Sequence, residues 1–154
     1  MVKFHRLIST CLGIGYTPKG GGTVAAIACC IVWYLLGAGG NESLFIPLLV
    51  TLLITALGTW SAGEMEDSWG KDSQKIVIDE VAGMCITLLF IPVKWQYVTI
   101  GLVLFRFFDI LKPLFIRKME KLNRGWGVMM DDVLAGVYAN ILLHLIVLVS
   151  PWKG

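Results

Sequence analysis

"VTIGLVLFRFFDILKPLFI", residues 98–116, is almost wholly apolar, yet it carries Arg106, Asp109 and Lys112 at intervals of three. On a helix that spacing puts all three charges on one side over two turns. A charged side chain at mid-bilayer costs at least ~2.5 kcal/mol, so three on one face call for a function. The composition makes lipid the expected solvent. Hydrophobic residues are 56% and charged residues 16% of the chain, and its mean hydropathy is +0.75, whereas soluble domains carry about 25% charge. The 154 residues are expected to form one domain, 1–154. The fold class expected is all-α, a small polytopic membrane helical bundle.

Working outward from this stretch, five apolar segments stand out: 24–38, 44–62, 81–93, 97–111 and 133–150. A membrane span needs about 20 residues; the second and fifth approach that, and the third is short enough to pack within the bundle instead. "GAGGNES" (37–43) and "PVKWQ" (92–96) read as tight turns between antiparallel helices. "LFIRKMEKL" (114–122) sets Leu114, Phe115, Met119 and Leu122 against Arg117, Lys118 and Lys121. It reads as a basic amphipathic helix at the membrane surface, with a solvated connector as the alternative. No sustained hydrophobic core or A-x-A site follows Lys3, His5 and Arg6, so no signal peptide is expected.

Charge distribution orients the bundle. With the N-terminus in the cytoplasm and each segment crossing in turn, ten basic residues fall inside, from Lys3 and Arg6 through Lys71 and Lys75 to Lys121 and Arg124. Only Lys94 and Lys153 fall outside, as the positive-inside rule requires. The polar stretches 9–23, 63–80 and 112–132 then share the inner side, and Asp109 lies one turn from it.

Carboxylates converge on that mouth. "IDEVAG" (78–83) and "MDDVLAG" (130–136) share the pattern D-x-x-A-G, at Asp79–Gly83 and Asp132–Gly136. In each, an acid opens an apolar helix, and Ala and Gly one turn later admit a close neighbour. Helix capping is the competing explanation for a single acid. It accounts neither for doubled acids nor for Asp109. Asp79, Glu80, Asp109, Asp131 and Asp132 gathered without a cation would repel one another. A hard divalent ion removes the conflict, and Mg²⁺ commonly shares its shell between carboxylates and a substrate phosphate.

Cations for a phosphate lie nearby in Arg106, Lys112, Arg117 and Arg124. "PKGGGT" (18–23) leads into the first apolar helix and offers backbone N–H groups at a helix start, although a plain flexible turn would look the same. Together these are the parts of metal-assisted phosphoryl chemistry, with either water or a carboxylate as the nucleophile. Other phosphatase chemistries lack their residues. No cysteine precedes an arginine at the spacing of cysteine phosphatases, and Cys11, Cys29, Cys30 and Cys85 read as buried thiols. His144 lies roughly 18 Å along a helix from Asp132.

The Gly-rich turn, "KIVIDEVAGM", "FRFFDILKP" and "GWGVMMDDVLAG" together resemble the phosphatidylglycerophosphatase A family over nearly the whole chain. The resemblance implies a Mg²⁺-dependent, all-helical membrane phosphatase of the bacterial cytoplasmic (inner) membrane, with its active site facing the cytoplasm. Its reaction would convert phosphatidylglycerol phosphate to phosphatidylglycerol and inorganic phosphate. It carries the functional acids onto Asp79, Glu80, Asp109, Asp131 and Asp132, with Arg106 and Lys112 beside them. The family's turn usually reads P-G-T-x-G-[ST]; here Pro18, Gly22 and Thr23 are kept, while Lys19 and Gly20 stand in the Gly and Thr positions. Lys19 would then supply charge in place of a hydroxyl, or mark a shifted substrate preference. Expected partners are the lipid substrate and the membrane, with no nucleic acid and no obligate protein partner. Two alternatives remain: a broader lipid phosphomonoesterase acting on phosphatidic or lysophosphatidic acid, and a small divalent-cation carrier.

Overall fold

The computed structural model describes residues 2–38, 44–70, 73–113 and 115–153. The chain forms α1 (Val2–Ser9), α2 (Gly21–Leu36), α3 (Phe45–Trp69), α4 (Ile78–Leu88), α5 (Trp95–Leu111), α6 (Ile116–Met119) and α7 (Gly125–Val149). Single 3₁₀ turns occupy Ile14–Tyr16 and Pro151–Lys153. There is no strand among the described residues, so the all-α expectation holds.

Each of the five apolar segments forms a helix, but they are not five equivalent spans. Among the described residues, only α3 and α7, at 25 residues each, are long and apolar enough to cross a membrane. At 1.5 Å per residue each reaches about 37 Å, against a hydrocarbon core of about 30 Å. α4 has 11 residues, about 16 Å, and most of it is buried among its neighbours. Apolar side chains such as Leu35, Leu52, Val103 and Leu148 are exposed on the outer faces of α2, α3, α5 and α7, a surface suited to lipid.

α4 is the hub, packed against α2, α3, α5 and α7. Glycine makes its closest contact possible. A Cβ on Gly136 would collide with the Gly83 carbonyl, and one on Gly83 with the Asp132 carbonyl and the Phe105 ring. The two D-x-x-A-G motifs are therefore each other's neighbours. Asn140 continues the register by donating from Nδ2 to the carbonyls of Thr87 and Leu89 at 3.0 and 2.9 Å. α4 and α7 thus run parallel, and α5 runs antiparallel, with Phe105 at Gly83 and Gly101 at Leu88. That alternation puts the first turns of α2 and α4, the second turn of α7 and the last turn of α5 at one end of the bundle.

Three expectations need correction or bounding. The amphipathic helix over 114–122 is a single turn, Ile116–Met119, because Ile116 is fully buried and anchors the segment in the bundle. Leu114, Lys71 and residues 39–43 of the predicted turn lie outside the described residues. α7 begins at Gly125 rather than near 133, so Asp131 and Asp132 sit in its second turn and do not open it. Gly125 permits this early start by lying against the Thr59 carbonyl and Gly63 of α3, where a Cβ would not fit. α1 has no counterpart among the predicted segments. It is tied to α3 by a 3.2 Å hydrogen bond between His5 Nδ1 and Ser61 Oγ, with the His5 ring edge-on to Trp60.

Candidate active site

One polar cavity of about 380 Å³ opens where these helix ends meet. Asp79 and Glu80 enter it from the first turn of α4, Asp131 and Asp132 from α7, and Asp109 and Lys112 from the end of α5. Gly20, Gly21 and Gly22 close it at the start of α2. All five predicted acids are thus in one place. None caps a helix: the residue before α4 is Val77, that before α7 is Arg124, and neither end carries a side-chain cap. The α4 N-terminus nonetheless favours anionic Asp79 and Glu80 through its dipole.

Asp79, Glu80 and Asp132 each offer a carboxylate oxygen, and the three atoms lie within 4.8 Å of one another. Asp79 Oδ1 and Glu80 Oε2 are buried without a hydrogen-bond partner. Burial first, and the Glu80 carboxylate second, push the Asp79 carboxyl well above the usual carboxylate range. A buried all-oxygen set with unpartnered acceptors fits a hard divalent cation such as Mg²⁺.

The remaining acids already have cations. Arg106 Nη1 lies 2.5 Å from Asp109 Oδ2, and the Asp109 carboxyl lies against that of Asp132. Lys112 Nζ bridges Asp131 Oδ2 at 2.7 Å and Glu120 Oε1 at 2.6 Å. Burial alone would lower the Lys112 pKa, but the hydrogen bonds to Asp131 and Glu120 outweigh it and hold the ammonium above its ordinary value. Lys112 reaches both because it ends α5 in the left-handed conformation, φ 46°, which turns the chain before Pro113.

The other predicted phosphate ligands are dispersed. Arg106 stands behind Asp109 and does not line the cavity. Lys19 is exposed beside the mouth, and Thr23 is half-buried in α2 without lining it. Arg117 is exposed on α6, and Arg124 lines a separate cavity between α3 and α7 with Trp60, Glu64 and Trp126. Gly22 has a reason of its own, because a Cβ there would overlap the Glu80 carboxylate. Sequence reasoning missed Ser73, Gln74 and Glu120. Ser73 and Gln74 line the cavity from the α3–α4 connection, and only their closeness to "IDE" could have suggested them. The thiols take no part: Cys11 donates to the Val77 carbonyl, and burial pushes it up to about 12, far from a thiolate nucleophile.

The sequence model of phosphatidylglycerophosphatase A matches residues 7–147. A Bacteroides thetaiotaomicron protein named "Putative phosphatidylinositol-3-phosphatase" is 43% identical over 142 residues, covering 89% of each chain. Proteins named phosphatidylglycerophosphatase A from Haemophilus influenzae and Escherichia coli are 38% and 34% identical. Each covers 91% of this chain, and the alignments take in 86% and 81% of the relatives. No solved structure matches the chain. By the extent of these matches, the chain belongs to the phosphatidylglycerophosphatase A family of phosphatase enzymes.

Proposed function

We propose that the protein is a Mg²⁺-dependent phosphatase of the bacterial cytoplasmic membrane. Its substrate in this reading is phosphatidylglycerol phosphate, and its products are phosphatidylglycerol and inorganic phosphate. The observation that carries the reading is the cluster of Asp79, Glu80 and Asp132 in one cavity with Lys112. Asp79, Glu80 and Asp132 would hold the cation, and Asp109 and Asp131 would complete the anionic wall. Bound there, Mg²⁺ would supply Lewis acidity to the phosphate oxygens and a water of lowered pKa. A carboxylate oxygen facing the cavity orients or deprotonates the attacking water for in-line displacement. Lys112 and the α2 N-terminus at Gly21 and Gly22 stabilise negative charge on the phosphate. Arg106 holds the Asp109 carboxylate in place.

A second substrate, phosphatidylinositol 3-phosphate, is favoured by the name of the 43% identical relative. A cation carrier fits less well, since the acids gather at one end of the bundle whereas a carrier exposes its site to both sides. Purified protein incubated with phosphatidylglycerol phosphate, phosphatidylinositol 3-phosphate, phosphatidic acid and glycerol phosphate, with Mg²⁺ or with EDTA, tests the reading. Mg²⁺-dependent phosphate release, fastest from phosphatidylglycerol phosphate, is expected. Faster release from the inositol lipid would change the substrate, and release unaffected by EDTA would remove the metal.

A further inference from the structure

A second cavity, of about 640 Å³, lies farther along α2 and is lined almost wholly by apolar side chains. Its floor is a stripe of α2 (Ala25, Ala28, Cys29, Val32, Trp33 and Leu36) at the spacing of one helix face. α3 forms the opposite wall with Ile46, Val50 and Ile54, and α4 closes the side with Val81 and Cys85. At its near end this groove adjoins the polar cavity. Glu80 lines the polar cavity and Val81 the groove. Gly21 lines the polar cavity and packs against Ile14, which lines the groove.

We infer that this groove binds one acyl chain of the phospholipid whose phosphate occupies the acidic cavity. The inference rests on the reading of that cavity as a lipid-phosphate site. Three observations select this occupant. The groove and the candidate site are lined by neighbouring residues, Glu80 and Val81 on α4 and Gly21 and Ala25 one turn apart on α2, so an amphiphile with its headgroup in the cavity can lay a chain along the groove. The two compartments divide as the two parts of a phospholipid do, with carboxylates and Lys112 in one and aliphatic side chains in the other. From Ala25 to Leu36 the stripe runs about 16 Å, close to half of a ~30 Å hydrocarbon core, which is the depth of one leaflet. α2 therefore acts as a ruler, with the phosphate at its N-terminus and the chain along its flank. Ala28 and Val32, midway along, set how much chain is accommodated.

Two experiments on the full chain test this. In the first, protein in phosphatidylcholine vesicles is irradiated with phosphatidylglycerol phosphate carrying a diazirine at the end of one acyl chain. Adducts are mapped by mass spectrometry, with diazirine-labelled phosphatidylcholine as the comparison. Adducts concentrated on Val32, Trp33, Leu36 and Ile46, and displaced by unlabelled phosphatidylglycerol phosphate but not by phosphatidylcholine, are expected. Equal labelling by both lipids would overturn the inference, because the groove would then hold bulk lipid only. In the second, Ala28→Trp should lower kcat/KM for long-chain phosphatidylglycerol phosphate by about tenfold, the loss of roughly two buried methylenes, and leave the dihexanoyl lipid unchanged. A uniform effect on both chain lengths, or none, would overturn it. Failure of the parent to hydrolyse any phosphate ester would sink the proposed reaction, whereas the photolabelling pattern would still decide the groove.

Discussion

Arg106 Nη1 sits 2.5 Å from Asp109 Oδ2, one helical turn away on the same face of α5, and Asp109 in turn lies against Asp132. Two of the three charges that make residues 98–116 so unusual are thus an internal pair, with Asp109 at the cavity and Arg106 behind it. Arg106 Nε and Nη1 are buried without a directed hydrogen bond, so the guanidinium meets Asp109 as an ion pair from one end and backs it with the rest of its planar head. Lys in its place keeps the charge and loses the fork. Arg106→Lys should lower kcat/KM by more than tenfold, about 1.4 kcal/mol of transition-state stabilisation. Steady-state kinetics beside a circular dichroism melt would show it. Parental kinetics would reduce the arginine to a counter-ion.

Asp79, Glu80 and Asp132 repel one another unless a cation lies between them, and this gives a signature in stability as well as rate. The raised Asp79 pKa favours the protonated carboxyl in the metal-free fold. Its contribution is therefore present below the unfolded value near 4 and is lost as pH rises through the folded value. Asp79→Asn and Asp132→Asn should abolish turnover, yet match or exceed the parent's melting temperature in EDTA. The parent should gain thermal stability from millimolar Mg²⁺ at pH 7.5, and the two variants should not. Variants that melt lower in EDTA but keep the Mg²⁺ response would place the cation elsewhere.

Lys112 has two jobs that can be separated. Its ammonium fixes Asp131 and faces the cavity, while Glu120 holds it from the other side. Lys112→Ala should raise the apparent KM for the anionic lipid more than it lowers kcat. Glu120→Gln keeps the lysine but loosens it, so a change of only a few-fold is expected, within the ~1 kcal/mol of a partly exposed ion pair. A larger effect of Glu120→Gln than of Lys112→Ala would make Glu120 the functional group and Lys112 its support.

Much of this site was legible in sequence because its acids sit in repeated local patterns. D-x-x-A-G marks both the carboxylate and the glycine that brings the partner helix close, and the structure sets the two motifs face to face. The charge spacing of residues 106–112 was legible for the same reason. Single-residue arguments failed where tertiary contacts decide. Arg124 is near the cluster in sequence, but the early start of α7 at Gly125 carries it to another cavity. Residues 114–122 have the amphipathic pattern of a helix, yet burial of Ile116 dominates and leaves one turn. Ser73, Gln74 and Glu120 carry no local pattern at all; the fold alone brings them in.

Helix direction makes a topological prediction. Ser68, near the end of α3, and Asn123, just before α7, are both exposed and lie at the end of the bundle that holds the acidic cavity. Trp95 is exposed at the opposite end, at the start of α5. In a cysteine-free parent, Ser68→Cys and Asn123→Cys should react with a membrane-impermeant maleimide only in inverted vesicles, and Trp95→Cys only in intact spheroplasts. Labelling of positions 68 and 123 from opposite faces would separate the parts of the site.

Two glycines should behave in opposite ways, because what stands against them differs. Gly136 meets the Gly83 carbonyl, which is rigid backbone at the centre of the α4–α7 contact. Gly136→Ala must push two helices apart, at a cost of about 1–3 kcal/mol that alanine's better helix propensity only partly offsets. Its main effect should be a lower melting temperature. The nearest atoms to a Cβ on Gly22 all belong to the end of the Glu80 side chain, which is flexible. Gly22→Ala should leave the fold near parental stability while Glu80 swings aside, so turnover and the Mg²⁺-induced gain in melting temperature should both fall. Shortening the acid by one methylene clears the added methyl. The double variant Gly22→Ala with Glu80→Asp should therefore recover more of the Mg²⁺ response than the sum of the single effects allows, a coupling that a double-mutant cycle measures. Strict additivity of the two changes would mean that Gly22 serves the phosphate or the backbone directly and not the placement of Glu80.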